Sequence, residues 1–158
     1  MMLRVLAVAA FAAVALADQS FEADFIAKIK QALASLDPAF VQKLQEIGTN
    51  MDLSRNQKVA QTNEAIKMLP ADQQEKAKKF IAFGLDKEKE MIDLAKSLIP
   101  QFSAEAQAVL NKIVSTYENG ADVPDKQLHE NIMNIMNSAS DAVKAEFKAA
   151  ESSHSDKV

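Results

Sequence analysis

The chain has 158 residues, a net charge of −4 and no cysteine. This length suits a single domain whose core must hold the fold without disulfides, and the mild acidity disfavours nucleic acid or an anionic membrane surface as a partner. Glycine and proline are rare, with three and four residues, and apolar residues recur at three- and four-residue spacing. This pattern predicts an all-α fold of about seven helices.

Residues 1–17 have the pattern of a secretory signal peptide. Arg4 is the one charged residue there, and an apolar run leads to Ala15-Leu16-Ala17, which places small residues at a cleavage site. The run is too short to cross a bilayer as a helix. We therefore expect a secreted, extracellular protein without a membrane span, whose mature chain begins at Asp18.

The first two predicted helices of the mature chain meet at Asp37. Ser20 can cap the first helix, whose apolar stripe ends at Leu36. Asp37 then caps the second helix, and Pro38 fits its first turn, where no backbone donor is needed. We expect this second helix to end at Gly48 in the left-handed cap conformation.

The third and fourth predicted helices differ in length. Ser54 and Gln57 form a capping box, which predicts the start of the third helix. The fourth helix is predicted over residues 71–98, because Pro100 then stops it. Gly84 lies within this long helix and predicts a close helix crossing or a slight kink.

Three helices are predicted in the remaining chain. Ser103 caps the fifth helix, and Pro124 introduces the sixth. Ser138 with Asp141 can cap the seventh. Residues 151–158 are small and polar, and we expect them to form a disordered tail.

Two segments, about 37–80 and 103–147, have similar patterns. Each opens with a helix start, continues through two apolar residues and a loop, and ends at a phenylalanine, with matched positions 66 to 70 residues apart. A repeat of this length indicates one supersecondary unit used twice. We expect a helical domain over residues 18–150, in which both pseudo-repeats share the long central helix.

Four short motifs at helix starts and in one loop indicate a family. They are Asp37-Pro38-Ala39, the loop sequence NMDLSRNQ at 50–57, the helix opener FSAEAQA at 102–108 and the closing DAVKAEF at 141–147. In this order and spacing, the chain resembles the nematode SXP/RAL family of secreted antigens. The resemblance implies a secreted, all-helical, non-enzymatic protein that binds divalent cations and is recognised by the host as an antigen or allergen.

A second family offers an alternative function. The nematode fatty-acid and retinol-binding proteins are similar in length, helical content and lack of cysteine. That similarity implies an extracellular carrier of hydrophobic ligands. Catalysis is not expected under either alternative, because the two histidines, His129 and His154, have no cysteine or matching motif nearby.

Three carboxylates in the long helix are candidate metal ligands. Asp86, Glu90 and Asp93 are spaced by four and three residues, which places them on one helix face. Oxygen ligands of this kind suit a hard cation, either Mg²⁺ or Ca²⁺. The alternative is a solvated face of ion pairs with Lys87 and Lys89, since three carboxylates do not complete a coordination shell.

A second candidate site would take a hydrophobic ligand. Methionine is adaptable and is common at promiscuous apolar surfaces, and the apolar run at 132–136 is wider than one narrow core stripe. The residues concerned are Phe80, Phe83, Ile132, Met133 and Met136. The alternative is that they form part of the core, where methionine and aromatic residues at helical spacing usually lie.

Overall fold

The computed structural model describes residue 27 and residues 30–155, and it confirms the all-α fold. Residues 30–34 are helical, and a 3₁₀ turn at Ile99–Gln101 follows the longest helix. The signal peptide and the Ser20 cap lie outside the described residues. Six α-helices follow in chain order: α1 Pro38–Thr49, α2 Arg55–Lys67, α3 Ala71–Leu98, α4 Ala104–Asn119, α5 Asp125–Asn137 and α6 Asp141–Ser155.

The predicted caps of the first half are confirmed. The Asp37 carboxylate accepts hydrogen bonds from the backbone N–H groups of Ala39, at 2.9 Å, and Phe40, at 3.1 Å. Ser54 and Gln57 form the reciprocal capping box at the start of α2, with N···O distances of 2.8 and 3.2 Å. These contacts satisfy backbone donors that have no partner within the helix.

The predicted bounds of the central helix are also confirmed. α3 spans Ala71–Leu98, and the Ser103 hydroxyl accepts a hydrogen bond from the Ala106 N–H at the start of α4. α5 begins directly after Pro124. Proline fits such a position because its fixed φ suits the helix start and no donor is needed there.

The predicted left-handed cap at Gly48 is wrong. None of the glycines in the described residues has a positive φ, and α1 continues through Gly48 to Thr49 before Asn50 becomes extended. The helix end is satisfied in another way, because the Thr49 hydroxyl donates to the Gln45 carbonyl at 2.8 Å. The Gly48 carbonyl accepts a hydrogen bond from Lys58.

Two predictions near the carboxyl end also need correction. Ser140, not Ser138, caps α6, since its hydroxyl accepts a hydrogen bond from the Val143 N–H at 3.3 Å. The Ser138 hydroxyl instead donates to the Ile135 carbonyl at the end of α5. α6 then continues to Ser155, so the helix extends into the segment that was expected to be disordered from residue 151.

In the part of the chain that the structure describes, the core has three clusters, and the two halves of α3 pack into different ones. Its first half packs Ala77, Phe80 and Ile81 into a cluster with α1 and α2. Its second half packs Met91 and Ile92 against residues of α4 and α5. The third cluster joins the 3₁₀ turn, α4 and α6, and Phe102 meets Phe147 there edge to face at 5.8 Å. The long helix therefore connects the two parts of the core.

Gly84 does not mark a close helix crossing, whereas Gly120 marks a close approach. A Cβ atom built at Gly84 would meet nothing within 4 Å, so the predicted close crossing is wrong, and the alternative of a slight kink stays a prediction. A Cβ atom at Gly120 would lie 2.6 Å from Leu128 Cδ1 and 2.9 Å from the Thr116 carbonyl oxygen. The second contact is with backbone and cannot be relieved by a side-chain rotation. Gly120 thus allows Leu128 of α5 to pack against the end of α4.

Gly120→Ala should therefore lower the free energy of unfolding by about 1–3 kcal/mol through overpacking. Gly84→Ala is the matched control and should raise it by up to about 1 kcal/mol, because alanine favours a helix over glycine. Urea denaturation followed by circular dichroism measures both. Equal effects of the two substitutions would contradict the close packing at Gly120.

Candidate functional site: the paired loops

The two loops that follow α1 and α4 lie side by side and are joined through their backbones. We call residues 50–54 and 120–124 the loop pair. Ser54 and Pro124 form an isolated antiparallel bridge. The Asn56 N–H donates to the Ala121 carbonyl at 3.1 Å, and the Asp125 N–H donates to the Leu53 carbonyl at 3.1 Å. The start of each following helix is thereby fixed against the opposite loop.

A buried ion pair lies behind the loop pair. Lys58 Nζ is 2.6 Å from Asp125 Oδ2 and also donates to the Gly48 carbonyl at 2.9 Å. The two side chains are only 4% and 8% exposed. Asp125 is the first residue of α5, where the helix dipole favours a carboxylate. Lys58 lies on α2 and thus bonds to the last turn of α1 and to the first residue of α5.

A second ionic group connects α2, α3 and α4. Arg55 Nη1 lies 2.8 Å from Glu88 Oε1, and Nη2 donates to the Tyr117 carbonyl. The guanidinium carbon is 4.1 Å from the centroid of the Tyr117 ring, a cation–π distance. The Tyr117 hydroxyl donates to the same Glu88 oxygen at 2.6 Å. Burial and the bond to Glu88 raise the pKa of Tyr117 above its usual value, so this phenol stays protonated.

Neither ionic group was predicted from the sequence. A signal for Lys58 is present, because it precedes the buried residues Thr62 and Ile66 by four and eight positions. It therefore belongs to the inward stripe of α2. No such local signal exists for Asp125, whose partner lies 67 residues away. In both ionic groups each charge has an opposite charge beside it, and this arrangement suits the joining of helices.

The predicted metal ligands lie on the outer surface of α3. Asp86, Glu90 and Asp93 are all exposed, and Glu90 pairs with Lys87. Within the part of the chain that the structure describes, no three acidic, histidine or cysteine side chains are grouped so that they could hold a metal ion. The carboxylates are thus accessible but not gathered around one point, and cation binding stays a prediction.

The residues of the predicted hydrophobic site are divided between clusters. Ile132 is fully buried with Ile113 and Leu128, and Met136 packs against that cluster. Phe80 instead packs in the cluster formed with α1 and α2. Phe83 and Met133 are half-buried. The structure therefore does not bring Phe80 and Ile132 into one cluster, and binding of a hydrophobic ligand stays a prediction.

Among the described helices, none combines the length and the apolar character needed to cross a bilayer. Comparison with protein-family models, with curated proteins and with solved structures finds no match to the chain.

Proposed function

We propose that this chain is a secreted, non-enzymatic helical protein of the SXP/RAL type that binds Mg²⁺ or Ca²⁺ weakly on its central helix. The observation that supports the cation role is the exposure of Asp86, Glu90 and Asp93 on α3. Exposed carboxylate oxygens can coordinate a hard cation that keeps several of its waters. Exposure also lets these side chains rotate towards a common ion.

Two physical effects limit the affinity of this face. Lys87 already neutralises part of the charge of Glu90, so a cation must compete with the ammonium group. Water competes as well, because Mg²⁺ releases its hydration shell reluctantly. A bound ion would nevertheless relieve repulsion between neighbouring carboxylates and stabilise the folded state by mass action. We therefore expect weak binding with a small stabilising effect.

The non-enzymatic role is supported by the state of the ionic residues. Lys58 and Asp125 neutralise each other within the fold, and Arg55 is paired with Glu88. The pKa of Tyr117 is raised by burial and by Glu88, which removes it as a base near neutral pH. A catalytic group usually has a pKa near the working pH and access to a substrate. These groups have structural partners instead.

Calorimetric titration with Mg²⁺ and with Ca²⁺ tests the cation site. The parent should bind with a dissociation constant of about 1 mM or weaker, and its thermal midpoint should rise by about 1–3 °C when the ion concentration equals the dissociation constant. Asp86→Asn with Glu90→Gln should abolish both effects, because two of the three carboxylate charges are removed.

A matched control removes two charges elsewhere. Glu64→Gln with Glu75→Gln neutralises two exposed carboxylates that are also paired with lysines three residues away. This control should respond to the ions as the parent does. If the Asp86/Glu90 variant also responds as the parent does, the site is misplaced. If no protein in the series responds, the cation role is wrong.

A further inference from the structure

We propose that the Asp125 carboxylate and the Gly48 carbonyl, behind the loop pair, form a cation-binding site and that the Lys58 ammonium is its covalently attached occupant. The site is built by the end of α1, the start of α5 and the first turns of α2. Its chemical preference is for a small primary ammonium ion. This proposal concerns residues remote in sequence from the carboxylates of α3 and does not rest on cation binding there.

The oxygen atoms of the site come from two separate helices. Asp125 supplies a carboxylate oxygen 2.6 Å from Lys58 Nζ, and Gly48 supplies a carbonyl oxygen at 2.9 Å. Both distances are those of charge-assisted hydrogen bonds. A carboxylate and a backbone carbonyl are also the oxygen ligands that proteins offer to hard cations. Both the types of oxygen atom and their distances from Nζ are therefore those of a cation site.

The local backbone explains why the Gly48 carbonyl is free to take part. It lies within the last turn of α1, where carbonyl groups lack a partner four residues further on. The negative end of the helix dipole is located at the same place, and it favours a positive charge. Lys58 thus satisfies a helix end that has no left-handed glycine cap.

The buried Asp125 carboxylate needs the Lys58 cation if α2 and α5 are to stay in contact. Asp125 is 5% exposed, and a carboxylate so far from water requires an opposite charge. The Asp125 N–H donates a hydrogen bond to the Leu53 carbonyl, so the backbone of the same residue also supports the loop pair. Because the cation is attached to α2, it cannot dissociate. The charge of Asp125 is therefore balanced without a free ion from solution.

Lys58→Ala tests the proposal because it empties the site without removing the oxygen atoms. The atoms lost are Cγ, Cδ, Cε and Nζ, which correspond to n-propylammonium. We expect Lys58→Ala to have a lower thermal midpoint than the parent. Addition of n-propylammonium chloride should raise that midpoint by about 3 °C or more relative to choline chloride at the same concentration. Choline controls for ionic strength and is too bulky for the site.

Two further proteins make the result specific. The parent should show no such difference between the two salts, because Lys58 already fills the site. Lys58→Ala with Asp125→Asn should show none either, because the charge that attracts the ammonium ion is gone. An equal response of this double variant and of Lys58→Ala would overturn the proposal.

The test also covers a variant that does not fold. If Lys58→Ala lacks helical circular dichroism in choline chloride, recovery of the helical spectrum in n-propylammonium chloride supports the proposal. Absence of recovery overturns it. The α3 carboxylates are unchanged throughout this series, so failure here leaves the Mg²⁺ and Ca²⁺ titrations of the parent unaffected.

Discussion

Asp125→Leu should lower the free energy of unfolding by about 3–5 kcal/mol. The substitution leaves Lys58 as an ammonium group that is only 4% exposed and has lost the carboxylate 2.6 Å away. The Gly48 carbonyl remains as a partner but carries no full charge. Guanidinium chloride denaturation, followed by circular dichroism, measures the change. The backbone bond from residue 125 to Leu53 is retained in this variant.

A double variant separates the cost of an unpaired charge from the cost of altered packing. Lys58→Met with Asp125→Leu removes both charges and keeps long side chains in the space between the helices. Its free energy of unfolding should lie within about 2 kcal/mol of the parent, or above it, because apolar pairs often replace buried ion pairs without loss. A double variant as unstable as Asp125→Leu would contradict this account and would locate the defect in packing.

The exposed pair Lys78–Glu75 provides the comparison on the surface. Its side chains are 57% and 68% exposed, and the two residues are three positions apart on α3. Glu75→Gln should change the free energy of unfolding by about 0.5 kcal/mol or less, because water screens such pairs. A larger loss of unfolding free energy in Asp125→Leu than in Glu75→Gln would show that burial of an ion pair, and not its presence alone, determines the loss.

The starts of α1 and α2 were predictable because the interactions that fix them are local. Asp37 caps α1 through donors two and three residues ahead, and Ser54 exchanges hydrogen bonds with Gln57 within one turn. A sequence window of four residues contains all the atoms concerned. The bounds of α3 follow in the same way from proline at each end.

The two ionic groups that connect the helices were not predictable from such windows. Lys58 and Asp125 are 67 residues apart, and Arg55 and Tyr117 are separated by 62. Their partnership depends on how the two loops meet, and no local pattern specifies that. Gly84 and Gly120 show the same limit, because only the packed neighbours of a glycine tell whether a methyl group fits there.

The position of Ile132 separates the core interpretation from the ligand-pocket interpretation. Both were open from the sequence, since apolar residues at helical spacing suit either. In the structure Ile132 is fully buried and packs with Ile113, Tyr117 and Leu128. Met133, the next residue, is half-buried. The two neighbours should therefore respond differently to truncation.

Ile132→Ala should lower the free energy of unfolding by about 2–5 kcal/mol, because it removes buried methyl groups and leaves a cavity. Met133→Ala is the control and should cost less than about 1 kcal/mol, since its side chain is partly in water. Urea denaturation measures both, and titration with a fluorescent fatty acid or retinol accompanies it. A carrier of hydrophobic ligands would give the opposite result: saturable binding by the parent that Ile132→Ala weakens, with a loss of stability below about 1 kcal/mol, because the wall of a ligand cavity lacks close-packed neighbours on one side.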